Sequence, residues 1–220
     1  DAADGTAADM DAALAAARRA FDTTDWATDP AFRARCLRQL RDALQAHGDE
    51  LRALTIAEVG APRFLTAGAQ LDAPVADLGW VADLVDGYEW QTDLGTAAPM
   101  GVPSHRWALR EPAGVVGAIT PWNFPHQITL AKLGPALGAG CTVVLKPPPD
   151  TPWCASAVAR IAATETDLPP GVLNVVTSSD HALGAMLSTD PRVDLVSFTG
   201  STATGRTVMA SAAETLKRVF

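Results

Sequence analysis

Beyond residue 113 the sequence alternates short runs that are apolar on both faces with segments patterned for helix, and few folds accommodate that. The runs are residues 114–119 (GVVGAI), 142–145 (TVVL), 172–176 (VLNVV) and 193–198 (VDLVSF), with a fifth beginning at Leu216. Helical patterns lie between them: over 128–137, on Ala155, Val158 and Ile161, over 183–187, and from Ser201 to about Ala213. Strands without a polar face belong to a sheet covered on both sides, and intervening helices make the connections parallel crossovers. Right-handed crossovers then predict a doubly wound, Rossmann-like α/β sheet, which binds ligands at the carboxyl ends of its strands.

The preceding residues read mainly as helices. Asp29 and Pro30 make a cap and a first helical position for a segment carrying Phe32, Cys36, Leu37, Leu40 and Leu44, with Gly48 placed to stop it. A second helix carries Leu51, Leu54, Ile56 and Val59 and ends at Gly60; a third sets Leu71, Val75, Leu78, Val81 and Val85 on one face. A polar stretch, 92–103, separates these from a strand-like segment at 104–110 (SHRWALR). The expected organisation is a helical N-terminal part over 1–95, a linker and strand over 96–112, and the Rossmann-like part over 113–220.

Composition narrows the partners. A formal charge of -8 argues against nucleic acid or an anionic membrane, which select a basic face. No run approaches the roughly eighteen apolar residues of a membrane span. The sequence begins with Asp1, and its first residues lack the basic-then-apolar order of a signal peptide. Cys36, Cys141 and Cys154, like the four histidines, are scattered, so no metal site is expected. The thiols read as reduced ones in a cytoplasmic protein.

Three loops at predicted strand ends carry the chemistry. After the first strand, Thr120-Pro121-Trp122-Asn123-Phe124-Pro125 is either a rigid turn with its aromatics in the core or a stiff mount presenting the Asn123 amide to an oxyanion. After the second, Lys146 leaves a buried strand on a proline-stiffened turn that includes Pro149. It is either a solvated lysine or a donor to ribose or phosphate oxygens. After the fourth, Gly200-Ser201-Thr202-Ala203-Thr204-Gly205-Arg206-Thr207 joins strand to helix, where backbone N–H groups make an anion site; Gly200 is read as permitting a tight turn and Ser201 as adding a hydroxyl. This loop is one substitution from a P-loop. Arg206 stands where the lysine belongs, however, and arginine does not replace it in so cramped a position.

In order, the chain carries Glu111-Pro112-Ala113-Gly114-Val115-Val116-Gly117, Pro121-Trp122-Asn123-Phe124-Pro125, Lys132-Leu133-Gly134-Pro135-Ala136-Leu137 and Val144-Leu145-Lys146-Pro147. Pro170-Gly171-Val172-Leu173-Asn174-Val175-Val176 and Ser197-Phe198-Thr199-Gly200-Ser201-Thr202 follow, with Gly205 behind them. This ordered set closely resembles the aldehyde dehydrogenase superfamily across essentially the whole chain. The resemblance implies oxidation of a small aldehyde to a carboxylic acid through a cysteine thioester, with hydride passing to NAD, and NADP also admitted. It implies that Asn123 helps hold the oxyanion, that Lys146 meets the adenosine ribose, and that Ser201 with the turn through Gly200, Thr204 and Gly205 holds the pyrophosphate. Thr120, Pro121 and Trp122 would line the nicotinamide side. The full-length enzyme would be a homodimer or homotetramer, which makes the strand within 96–112 one of the oligomerisation type. The role of Lys132, which matches a residue often retained near the active site, is left open.

Departures from the pattern shape further expectations. The family's glutamate-bearing glycine-rich segment and nucleophilic cysteine have no counterpart here, so this chain by itself is expected to be an inactive, truncated part of an enzyme. Pro149 stands where NAD-preferring members often carry a ribose-binding glutamate, which predicts weak discrimination against NADP. Thr177-Ser178-Ser179-Asp180 replaces a turn where relatives commonly place glycines. The competing functions are a phosphate-binding NTPase-like module and a non-catalytic interaction protein on the same fold.

Overall fold

The computed structural model describes residues 2–220. Helix α1 spans Ala7–Thr23, α2 Pro30–Ala46, α3 Gly48–Val59, α4 Arg63–Thr66 and α5 Asp72–Gly87; strands β1 and β2 span Gln91–Ala97 and Ser104–Leu109. Then follow β3 (Val115–Ile119), α6 (Pro125–Gly138), β4 (Thr142–Lys146), α7 (Pro152–Glu165), β5 (Leu173–Val175), α8 (His181–Thr189), β6 (Leu195–Phe198), α9 (Thr202–Ala212) and β7 (Arg218–Val219).

Strands β3 to β7 form one parallel sheet in the order β5-β4-β3-β6-β7. The chain winds outward from β3 through β4 to β5, then returns to lay β6 on the other side of β3. That reversal opens a crevice at the carboxyl ends of β3 and β6. Alternate residues of each central strand feed opposite layers. Val116, Ala118, Val143 and Leu145 pack with α2, α5, α6 and α7, whereas Val115 and Val144 pack with α1, α8 and α9. Each of these valine and leucine side chains, fully buried, contributes about 1.5–3 kcal/mol. Because α2 and α5 share the first of these cores with the sheet, the N-terminal helices are continuous with the parallel part.

Besides the single-turn α4, two elements were not legible in the sequence. Helix α1 begins at a capping box: Thr6 Oγ1 accepts from Asp9 N (3.3 Å) while Asp9 Oδ2 accepts from Thr6 N (2.8 Å). It buries Met10, Leu14, Ala17 and Ala20 on one face. Strand β1 lies within what the sequence shows as a polar separator, so the boundary at residue 95 falls inside a strand. It pairs antiparallel with β2, with a register shift between Asp93 and Thr96 where Gly95 takes a φ of 68°. Its side chains are exposed or half-buried throughout, so no apolar alternation marks it. Gly48, expected to end α2, instead begins α3, and His47 forms the corner between them.

His47 sits between carboxylates, its Nδ1 2.9 Å from Glu50 Oε2 and its Nε2 2.6 Å from Glu165 Oε1 at the end of α7. Glu50 first, then Glu165, hold its pKa above the ordinary 6.5. A raised folded pKa contributes stability that is fully present below the unfolded value and is lost as pH rises through the folded one. His47→Gln is therefore expected to lower Tm at about pH 6 and to lower it progressively less toward about pH 9. A pH-independent difference in Tm would show that the charged imidazole contributes nothing.

Candidate functional site

The switch-point crevice has a volume of about 570 Å³, within the range of small-molecule sites. The ends of β3 and β4 contribute Thr120, Pro121, Trp122, Lys146, Pro149 and Asp150, and the end of β6 contributes Gly200, Ser201 and Thr204. Eight of the sequence-predicted site residues thus share one cleft: Thr120, Pro121, Trp122, Lys146, Pro149, Gly200, Ser201 and Thr204. Asn123 and Gly205 do not line it. Asn123 is exposed on the turn beside Trp122, and its side-chain amide has no hydrogen-bond partner among the described residues. Its backbone carbonyl accepts from Gln70 Nε2 at 3.1 Å. Gly205 lies beneath the turn against the Phe198 ring.

Lys146 is not a solvated lysine. Its side chain is buried, and Nζ donates to Ser178 O at 2.7 Å and to Pro147 O at 3.3 Å. Burial lowers its pKa, opposed by the charges of Asp180 and Asp4. An ammonium has three donors, so one N–H remains for a ligand in the crevice. Its stem runs beside Gly184 in α8, where an added Cβ would sit 3.8 Å from Lys146 Cδ, an ordinary contact distance.

The third loop is a helix cap. Ser201 Oγ accepts from Thr204 N (3.2 Å) and shares a hydrogen bond with Thr204 Oγ1 (2.9 Å), which holds the first turn of α9 open toward the crevice. The first N–H groups of that helix have no intrahelical partner and carry the positive end of its dipole. Gly200 is required for a reason other than the expected tight turn. Its φ is not positive, but an added Cβ would lie 2.5 Å from Phe198 Cζ. Arg206 is exposed and does not line the crevice, unlike Thr204 and Thr207.

Sequence reasoning missed the wall built by α8. His181, Gly184, Ala185 and Ser188 line the crevice from that side. Ser188 Oγ is buried there with no partner among the described residues. Such an atom calls for a ligand or ordered water.

Other titratable groups stand apart. Lys132 Nζ donates to Ser197 Oγ at 2.8 Å, and burial lowers its pKa to about 8. His126 is buried with Nδ1 3.0 Å from Thr55 Oγ1, and burial lowers its pKa to about 4, so it is neutral at pH 7. Cys36, Cys141 and Cys154 are all buried and outside the crevice. Burial pushes Cys36 up to about 11 and raises the other two, so none is a thiolate at neutral pH. Among the described residues no group of three or more His, Cys, Asp or Glu is placed to hold a metal ion, and no helix is long and apolar enough to cross a membrane.

A family model described as the aldehyde dehydrogenase family matches residues 1–220. The chain is 43% identical over 219 residues to 3-succinoylsemialdehyde-pyridine dehydrogenase of a Pseudomonas species, covering 98% of this chain and 43% of that protein. It is 39% identical over 220 residues to the NADP/NAD-dependent aldehyde dehydrogenase PuuC of Escherichia coli K12, again covering 98% and 43%. Its fold superposes on the crystal structure of a Mycobacterium tuberculosis aldehyde dehydrogenase complexed with NAD+ with a TM-score of 0.90. That pair is 38% identical, and the match covers 99% of this chain and 44% of that one. Aldehyde dehydrogenase C of Pseudomonas syringae, in complex with NAD+ and octanal, gives 0.89 at 36% identity, covering 99% and 42%. The chain thus spans less than half the length of these relatives.

Proposed function

Since the chain belongs to the aldehyde dehydrogenase family, we infer that its crevice is the NAD(P) site of an enzyme that oxidises an aldehyde to a carboxylic acid. The observation that carries this is the convergence of Lys146, Ser201 and the Thr120–Trp122 turn, from the ends of three adjacent parallel strands, on one cleft. The residues present fit a dinucleotide. Lys146 keeps one free donor for ribose hydroxyls, and the first turn of α9 offers N–H groups to a pyrophosphate. The unpartnered Ser188 hydroxyl and the apolar walls suit a heterocycle with a polar edge.

When bound, the cofactor takes up the hydride that the aldehyde carbon gives up. What this chain supplies is binding, orientation and an amide. Thr120, Pro121 and Trp122 would flank the nicotinamide ring, and the Asn123 side chain would donate an N–H to the oxyanion formed when a thiolate adds to the aldehyde. That thiolate is none of Cys36, Cys141 or Cys154, each buried and protonated away from the crevice. In the complete protein the nucleophile and the base that releases the acid are residues outside this sequence, and the chain by itself is inactive. A homodimer or homotetramer suits the exposed Leu94, Trp107 and Leu109 on the β1–β2 hairpin, and three unpaired thiols suit a cytoplasmic setting.

Steady-state oxidation of a panel of aldehydes by the complete protein, followed through formation of the reduced nicotinamide, tests this function. Absence of turnover with both cofactors would overturn it. Pro149 brings no carboxylate to the ribose beside Lys146, although Asp150 is its neighbour, so discrimination against a 2′-phosphate is weak. The expected kcat/KM ratio of NAD to NADP is below about a hundredfold, and a preference of roughly a thousandfold or more would show a guard elsewhere in the site.

A further inference from the structure

The N-terminal segment before α1 lies across the turn between β5 and α8 and lines no part of the crevice, although the Asp4 charge reaches Lys146. Five hydrogen bonds hold it there. Gly5 N donates to Thr177 O (2.7 Å), Thr177 Oγ1 to Ala3 O (2.8 Å) and Ser178 Oγ to Gly5 O (2.8 Å). The Asp4 carboxylate makes the other two: Oδ1 accepts from Ser179 N at 2.6 Å and Oδ2 from Ser179 Oγ at 2.7 Å. The contact is close enough that a Cβ on Gly5 would lie 2.7 Å from Thr177 O. Thr6 then caps α1, so the strap is anchored on a helix packed against the sheet.

The middle residue of this clamped turn is the one that Lys146 uses. Ser178 O takes the shorter of its two intramolecular hydrogen bonds. A lysine ammonium is a compact charge on a flexible four-carbon stem, and the direction of its free N–H is set only by what holds the other two. Pro147 O is its neighbour in sequence and moves with it. Ser178 O is therefore the external reference point, and the strap fixes that point.

We propose that Asp4 is a positioning residue for cofactor binding: by clamping Ser179 it holds the Ser178 carbonyl where it aims the remaining N–H of Lys146 into the crevice. The proposal rests on the NAD(P) reading of that crevice. Asp4 is exposed, and the Ser179 backbone N–H keeps its carboxyl below the usual carboxylate range, so it is ionised throughout the neutral range.

The test is a double-mutant cycle on the complete protein, with NAD affinity measured by calorimetry and KM and kcat by steady-state kinetics. Asp4→Ala is expected to weaken NAD binding about tenfold, to raise the KM for NAD in step, and to leave kcat and the aldehyde KM within about twofold. Asp4→Asn, which still accepts from Ser179 N, is expected to recover most of the affinity. In a Lys146→Met background Asp4→Ala is expected to change affinity by less than about twofold, because its route to the cofactor is gone. Equal losses in both backgrounds, or unchanged affinity in Asp4→Ala, would overturn the positioning role while leaving the cofactor site intact. A wild-type protein that binds no NAD, or a Lys146→Met variant that binds it as well as wild type, would overturn the cofactor site and this inference together.

Discussion

Asn123→Ala in the complete protein is expected to lower kcat by about 10²–10³, with the KM for NAD changed by less than about twofold. The magnitude follows from what the side chain is not doing in the resting molecule. Its amide makes no hydrogen bond among the described residues, so nothing inside the protein is lost when it is removed, and as an exposed residue it adds little to stability. Its backbone is fixed nonetheless: Pro121 and Pro125 bracket the turn, and Gln70 Nε2 holds the Asn123 carbonyl from the loop between α4 and α5. A donor that is idle in the ground state, mounted on a rigid turn, strengthens its interaction only as negative charge develops on oxygen, and such an interaction appears in kcat. A fall below about fivefold, with Tm unchanged, would remove Asn123 from the chemistry. A matched rise in the KM for NAD would make it part of the cofactor site instead.

What could be read from the sequence followed burial. Strands β3 and β4 are buried on both faces, so the residues between Thr142 and Lys146, like those of β3, had to lack a polar face, and that forced the doubly wound sheet. The loops at strand ends were legible for the same reason, since the fold fixes where ligands bind before any side chain is placed. Signals failed where burial contrast is low. In α1 the inward face carries alanines, as does much of the outward one, so the helical period is faint. In β1 neither face is buried, so there is no alternation to find. Side-chain direction was the other blind spot. The sequence left Lys146 between solvent and ligand, and only packing against Gly184 and Ser178 shows its stem buried and two of its donors occupied. Asn123, which the motif assigns to the oxyanion, stands on the turn beside Trp122 and outside the crevice lining.

Gly114→Ala is expected to destabilise the protein by about 2.5–6 kcal/mol, lowering Tm by roughly 5–24 °C for a chain of this size. Gly114 takes a φ of 120°, which side chains avoid, at the entry to β3. A Cβ there would fall inside the Asp194 carboxylate. That carboxylate cannot simply retreat. Its Oδ2 accepts from Val115 N (2.7 Å) and from Arg18 Nη1 (2.9 Å), and Arg18 in turn holds Asp22. It is the joint between α1, the start of β3 and the start of β6, on the face of the sheet opposite α6. Displacing it leaves the Val115 N–H without its charged acceptor, a loss of about 1.5–3 kcal/mol, and adds backbone strain of about 1–3 kcal/mol. The two terms separate experimentally. Asp194→Gly alone removes the acceptor and, with the Cβ that would otherwise stand 2.9 Å away, the whole clash. If the steric conflict dominates, adding Gly114→Ala to it costs less than about 1 kcal/mol more; if the positive φ dominates, the two substitutions add. Thermal melts of the single and double variants decide between these, and a Gly114→Ala protein that melts within about 2 °C of wild type would show that the entry to β3 yields where the packing says it cannot.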